Sequence, residues 1–162
     1  MSVFKIAGIC GSLRKDSCNK KLLLRTQQLC SEHIKGATIE IIDWKYNYSI
    51  PGPLKNAIDW ASRPVGDRGH VFAGKVAAII GVAGSSGSGR AQFVLRQSLV
   101  FLDMVPVNKP LITIADAVHA FNEDGSLVDK HFENKIIKVL QNLVKLGKQL
   151  KIDIIAKVPK IM

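Results

Sequence analysis

Residues 8–19 read Gly8-Ile9-Cys10-Gly11-Ser12-Leu13-Arg14-Lys15-Asp16-Ser17-Cys18-Asn19. Small, polar and basic side chains here follow a short apolar run and precede a stretch with helical spacing. A loop in that position suits an anion. The first backbone N–H groups of a helix have no partner within it, and the positive end of the helix dipole faces the loop. Ser12, Ser17 and Asn19 add short hydrogen-bonding groups, and Arg14 adds a fixed cationic fork. A helix cap would account for Ser17 or Asn19 alone. It does not account for glycine, two serines, arginine and asparagine in one turn. The string is not the dinucleotide fingerprint Gly-x-Gly-x-x-Gly, and no acidic residue follows the second strand in a matching role.

Two further stretches could border a ligand. The first is Tyr46-Asn47-Tyr48-Ser49-Ile50-Pro51-Gly52-Pro53-Leu54-Lys55-Asn56-Ala57-Ile58-Asp59-Trp60. The second is Ala83-Gly84-Ser85-Ser86-Gly87-Ser88-Gly89-Arg90, where glycines would let backbone approach a flat ligand closely. Taken alone, the second reads equally well as a Gly/Ser connection. Other chemistries fail on composition. Gly69-His70-Val71-Phe72-Ala73-Gly74-Lys75 opens like a phosphate-binding Walker string, but Val76 stands where Ser or Thr must hold magnesium. His33, His70, His119 and His131 are dispersed, so no metal site is expected. No Gly-x-Ser-x-Gly elbow supports a hydrolase.

The elements that must position these loops alternate. Apolar or β-branched runs over 3–9, 38–42, 76–82 and within 106–114 predict strands. Helical spacing predicts helices over 19–34, 54–62, 91–102 and 130–150. Strand, loop and helix in alternation imply a parallel sheet covered by helices on both faces. The chain has 162 residues and 47% hydrophobic side chains, enough for one cored domain over 1–150 followed by a tail over 151–162. Its formal charge of +10 is spread along the chain, with no basic arm, and aromatics are 6%. Nucleic acid is therefore not an expected partner. Three cysteines, with no Cys-x-x-Cys, fit a reducing compartment. The apolar runs are too short to span a bilayer, so the expectation is a cytoplasmic protein with no membrane partner.

The string Gly-Ser-Leu-Arg-x-x-Ser-x-Asn at 11–19 and the Tyr46 to Trp60 stretch together resemble the signature loops of the NADPH-dependent FMN reductases. That family includes bacterial chromate and quinone reductases and plant quinone reductases. The resemblance implies a flavodoxin-like α/β sandwich, bound FMN, and NADPH or NADH as co-substrate. It implies two-electron transfer to a quinone or similar small-molecule acceptor. By position, Ser12, Arg14, Ser17 and Asn19 would hold the FMN phosphate. Tyr46, Asn47, Tyr48 and Ser49 would border the flavin ring, with Gly84, Gly87 and Arg90 near it. Lys55, Asn56, Asp59 and Trp60 match the helix that braces the ring turn. No acid–base catalyst is implied, because the cofactor carries the reactivity. Homo-oligomers, through helices near the flavin, are expected as well.

One departure is large. The family places a loop, a helix and a third strand before Tyr-Asn, ending in Pro-Glu. Here Ile39-Glu40-Ile41-Ile42-Asp43 runs almost directly into Tyr46, with Trp44 and Lys45 in place of Pro-Glu. About thirty residues, one αβ unit, are missing by the usual size of such a unit. FMN in this fold sits at the switch point between strands 1 and 3, so the missing strand is a wall of the site. A sheet shortened to four strands is expected, with 3–9 beside 38–42 because the first crossover is right-handed. The alternative function is a catalytically impaired member of the fold that binds an anion or a protein.

Overall fold

The computed structural model describes residues 3–12, 16–43, 52–64, 70–85 and 87–150. Strand β1 (Phe4–Cys10) leads to helix α1 (Cys18–His33) and strand β2 (Ala37–Asp43). Helix α2 (Gly52–Ala61) follows, then β3 (Val76–Ala77), β4 (Ile80–Val82), α3 (Gly89–Phe101), β5 (Val105–Pro106), β6 (Ile112–Ile114) and α4 (Lys130–Gln149).

All strand pairs are parallel. β1 pairs with β2 over its whole length, Phe4 opposite Ala37 and Cys10 opposite Asp43. β3 pairs with β5, and β4 with β6. The expected strand over 76–82 is thus interrupted at Ala78 and Ile79, and its partner is interrupted too. Val76 lies opposite Val105, whereas Ile80 lies opposite Ile112, so the second strand carries extra residues between its halves. The first half ends at Pro106, whose nitrogen faces the outer edge, since Val105 and Val107 are the residues that donate to Lys75 O and Ala77 O. Counting the halves together gives the four expected strand positions, held as separate hydrogen-bonded pairs. Among the described residues no ladder joins β1 to β3 or β4.

The helices form where capping and spacing direct them. Ser17 caps α1 by accepting from the Lys20 N–H at 3.2 Å. Leu22, Leu23, Leu29 and Cys30 then recur on one face and are buried. Asp129 caps α4 by accepting from the His131 N–H at 2.9 Å, and Ile136, Val139, Leu140, Leu143 and Val144 are buried along its inner side. All of these but Leu23 and Leu143 join Ile39, Val82, Ile112 and Ile114 in the main core. A smaller core gathers Ile58 of α2 and Leu102 with Phe72, Leu95 and Met104.

One polar contact crosses the main core. Arg25 of α1 donates its Nε–H to Glu133 Oε1 at 2.8 Å, the Leu127 N–H donates to the same oxygen at 3.1 Å, and Lys130 reaches Oε2 at 3.3 Å. Burial pushes the Glu133 carboxyl up, but these donors outweigh it and hold the group below its ordinary value. The Arg25 guanidinium is correspondingly raised, chiefly by its hydrogen bond to Glu133. Glu133 thus ties α1, the turn before α4, and α4 itself into one unit.

Candidate functional site

Parallel strands end on one edge of a sheet, and the loops that leave them meet there. Three such strand ends come together here: the start of α1 that follows β1, the residues from Ala83 that follow β4, and the residues through Ala117 that follow β6. Hydrogen bonds fix them to one another. The Asn19 side chain donates from Nδ2 to the Val82 carbonyl at 3.0 Å and accepts from the Val82 N–H at 3.1 Å. That double contact clamps the first turn of α1 to the end of β4. The Cys18 thiol donates to the Ala117 carbonyl at 3.3 Å. The Asp116 N–H donates to Gly84 O at 3.2 Å, and the Ala117 N–H to Ala83 O at 3.0 Å.

The first loop carries its cap at one end. Ser17 is 4% exposed and sits with its oxygen on the opening turn of α1. Ser12 is half-buried, and its carbonyl accepts from the Cys10 thiol at 3.6 Å. Ser12 stands two residues beyond the end of β1, and Ser17 lies at the helix end where an anion is favoured. Asn19 is at that end also, with its amide engaged by Val82, so it acts at least as the brace of the loop. Arg14 lies outside the described residues.

The second loop is shaped for close approach. Gly87 has a φ of +65°, where a side chain is strained, and a Cβ there would meet the Thr113 carbonyl at 3.1 Å. Its N–H donates to Gly84 O at 3.0 Å, closing a turn. The loop is anchored from below by Gln92, which is buried and donates to Ser88 Oγ at 2.9 Å and to Ile112 O at 2.6 Å. Gly84 is exposed on the turn, and Arg90 is exposed in the first turn of α3. Tyr46, Asn47, Tyr48 and Ser49, the expected ring-side residues, lie outside the described residues. On α2, Lys55 pairs with Asp59, both exposed, and the Arg63 guanidinium lies 4.2 Å from the centre of the Trp60 ring.

The third loop was not assigned a role from sequence. Asp116, at φ +50°, holds the His119 ring through its carboxylate at 2.9 Å, and the pair is exposed on the same edge. The signal that points to it is topological: a loop leaving a parallel strand at its C-terminal end. Two open grooves of about 430 and 540 Å³ run beside α4, and neither is lined by these loops. The convergence of the strand ends, rather than those grooves, locates the site.

Comparison with known proteins decides what the site belongs to. The model of the NADPH-dependent FMN reductases matches residues 4–45 and 45–119. The chain belongs to that family. An NAD(P)H:quinone oxidoreductase of Solanum tuberosum is 36% identical over 189 aligned positions, covering 92% of this chain and 95% of the relative. An NAD(P)H-dependent FMN reductase of Pseudomonas aeruginosa is 52% identical over 100 positions, 61% of this chain and 52% of the relative. Among solved structures, FerB, a flavoenzyme NAD(P)H:(acceptor) oxidoreductase of Paracoccus denitrificans, superposes with a TM-score of 0.75 at 27% identity. That superposition covers 91% of this chain and 98% of FerB. The fold is therefore the flavodoxin-like sandwich of the FMN reductase family.

The same comparisons place the shortening. An alignment of 189 positions exceeds the 162 residues of this chain, so the relative carries residues that this chain lacks. The two matched segments of the FMN reductase model abut at Lys45. The missing unit thus falls between β2 and the Tyr46 turn, where the sequence pattern put it.

Proposed function

We propose that this chain is an FMN-dependent NAD(P)H oxidoreductase that passes two electrons to a quinone or a similar small-molecule acceptor. The observation that carries the reading is the clamp between Asn19 and Val82, which sets the start of α1 beside the glycine loop at the C-terminal edge of the sheet. Membership of the FMN reductase family supplies the cofactor class.

The residues present fit the phosphate end of FMN. A capped helix N-terminus offers N–H groups and dipole to a dianion, with Ser12 and Ser17 at hand. Arg14 would add a charge-assisted contact and Asn19 would keep the loop in register. Gly84 and Gly87 give a turn without side chains against which the flat ring can lie, and Arg90 faces solvent beside it. Tyr46, Asn47, Tyr48 and Ser49 are assigned to the ring edge from the family pattern. Bound FMN would supply the two-electron redox chemistry that links NADPH or NADH to the acceptor. The protein's part is to anchor, orient and leave one ring face open to both partners in turn.

We also infer a homo-oligomer in the cytoplasm. Helix α3 exposes Phe93, Val94, Val100 and Phe101, the last at 84%, along one side. An apolar stripe of that kind favours cover by another chain. Three free cysteines suit a reducing compartment. No helix among the described residues is long and apolar enough to cross a membrane.

The experiment is an FMN titration followed by visible absorbance, then NAD(P)H oxidation with a benzoquinone. Saturable binding with quinone-dependent turnover is expected. A protein that is colourless once free FMN is removed, and that leaves the flavin spectrum unchanged during the titration, would replace this reading with the impaired, non-catalytic one.

A further inference from the structure

Helix α4 has two unlike faces. Ile136, Val139, Leu140, Leu143 and Val144 are buried against the strands and α1. The helix also carries five lysines, Lys130, Lys135, Lys138, Lys145 and Lys148, and a single acid, Glu133. Glu133 is buried and is taken up by Arg25, Lys130 and the Leu127 N–H. Asp129, the N-cap, is engaged by the His131 N–H. The outward face is therefore positive along the helix, whose 20 residues span about 30 Å.

The two grooves beside α4 extend this charge. Lys35, Lys145 and Lys148 line the groove shared with the end of α1. Lys109, Lys135 and Lys138 line the groove shared with the segment before β6. Neither lining includes a carboxylate. Two contacts fix the walls: Arg25 to Glu133 joins α1 to α4, and Asn142 Nδ2 donates to the Lys109 carbonyl at 3.1 Å. Among the described residues none of these six lysines forms an ion pair. Glu32 stands three residues before Lys35 and lies 3.7 Å from His33. A face of this kind is a source of positive potential that an anionic surface complements.

The chemistry of the face selects the kind of partner. A protein would need an apolar or aromatic anchor at the centre of the contact, and no large apolar side chain between Lys130 and Gln149 is exposed. Nucleic acid is gripped by arginine forks and by aromatic stacking. Helix α4 has no arginine, tryptophan or tyrosine, and its Phe132 is half-buried. Lysines are point charges on flexible stems, and a cluster of this size on one helix suits a diffuse layer of phosphates. We propose that the outward face of α4, with Lys35 and Lys109, docks the protein electrostatically on an anionic phospholipid surface. The apolar face of the helix is already buried, so the helix lies flat on the headgroups without insertion. Its last turn, at Gly147, packs on Phe4 and Val76, which open their strands. The helix thus runs along the flank of the sheet, and the edge that carries Ser12 and Gly84 stays open. Contact of this kind needs no spanning run, so it departs from the expectation of no membrane partner, which was drawn from apolar runs alone. Where the acceptor is an apolar quinone, docking brings the site to the phase in which the acceptor dissolves. That last step rests on the proposed reaction; the docking itself does not.

Co-sedimentation of the full chain with lipid vesicles, without flavin or quinone, tests the docking. Vesicles of phosphatidylcholine with about one third phosphatidylglycerol should bind the protein at low salt. Half-molar salt should release it, and pure phosphatidylcholine should not bind it. Each lysine at such a surface contributes roughly fivefold, so Lys138→Gln with Lys145→Gln should weaken binding about twentyfold. Lys5→Gln with Lys55→Gln removes the same net charge from other elements and should weaken it less than about threefold. No binding to the anionic vesicles would overturn the proposal. Equal losses in the two double variants would overturn it too, by leaving net charge as the cause. Tighter binding of duplex RNA than of vesicles at physiological salt, lost in the α4 variant, would assign the face to nucleic acid instead.

Discussion

The two faces of the pair of β1 and β2 differ sharply. On one face Gly8, Cys10, Ala37 and Ile39 are buried, with Phe4 and Ile6 half-buried, under α1 and α4. On the other, Lys5, Ala7, Ile9, Thr38 and Glu40 are exposed, and Lys5 pairs with Glu40 at 3.2 Å. A strand inside a parallel sheet ordinarily carries helices on both sides. Here the family's αβ unit between β2 and the Tyr46 turn is gone, and the face left bare is polar at Lys5, Thr38 and Glu40. The lesson is that a fold can lose a central unit if the remaining side is held by its own contacts. The face under the helices should then carry the stability, and the bare face almost none.

The strongest way to break that asymmetry is to remove the polar tie beneath the covered face. Glu133→Ala leaves the Arg25 guanidinium and the Leu127 N–H without their acceptor. Breaking a buried pair in this way costs about 3–5 kcal/mol. Urea unfolding of the variant should show the loss as a lower midpoint at unchanged slope. The pH dependence has a definite sign. Because the folded Glu133 carboxyl lies below its ordinary 4.5, its contribution is complete above that value and fades as pH falls through the folded one. Stability measured from pH 6 down to pH 2 should drop more steeply for the parent than for Glu133→Gln. Equal slopes would remove Glu133 from that account.

Arg14→Ala tests whether the loop beside the covered face binds the cofactor. A charge-assisted contact is worth about 1.5–3 kcal/mol, or roughly tenfold and upward in FMN affinity. The unfolding midpoint without FMN should not change. Equal FMN affinity in parent and variant would move the phosphate elsewhere.

Much of this was legible in the sequence, for identifiable reasons. The strand over 3–9 and the helix over 19–34 came within one residue at each end, because the apolar period and the Gly36 stop agree with the fold. The shortening was legible because the Tyr46 turn has a fixed place in the family pattern, and the family match breaks at Lys45. What escaped was non-local. The interruption of the strand over 76–82 depends on its register against Pro106 and Ile112, which local pattern does not contain. The role of Asn19 escaped for the same reason. A polar residue at a helix start reads as ligand or cap, and only the fold brings Val82 within reach of its amide.

Gly8→Ala sharpens the comparison within β1 itself. A Cβ at Gly8 would meet Ile39 Cγ2 at 2.8 Å and Leu23 Cδ1 at 3.0 Å, both on the covered face. Overpacking of this kind costs about 1–3 kcal/mol. Ala7→Gly, next to it on the bare face, removes no packed methyl and should cost about 0.5–1 kcal/mol through backbone entropy alone. Thermal unfolding of both variants should rank Gly8→Ala as the more damaging. The opposite ranking would mean that the bare face is covered in solution.

The smallest effect expected is at Lys5. Its ammonium meets Glu40 across the two strands, with side chains 62% and 69% exposed. Water and salt screen such a pair, and holding two long side chains together costs entropy. Lys5→Ala should therefore change stability by no more than about 0.5 kcal/mol. The residual effect should shrink further in half-molar salt, where the screening length falls to a few ångströms, on the order of 4 Å. The double variant Lys5→Ala with Glu40→Ala closes a cycle whose coupling should stay under about 1 kcal/mol. A larger coupling would show that the pair is buried in solution beneath another segment or another chain. The face would then be covered rather than bare.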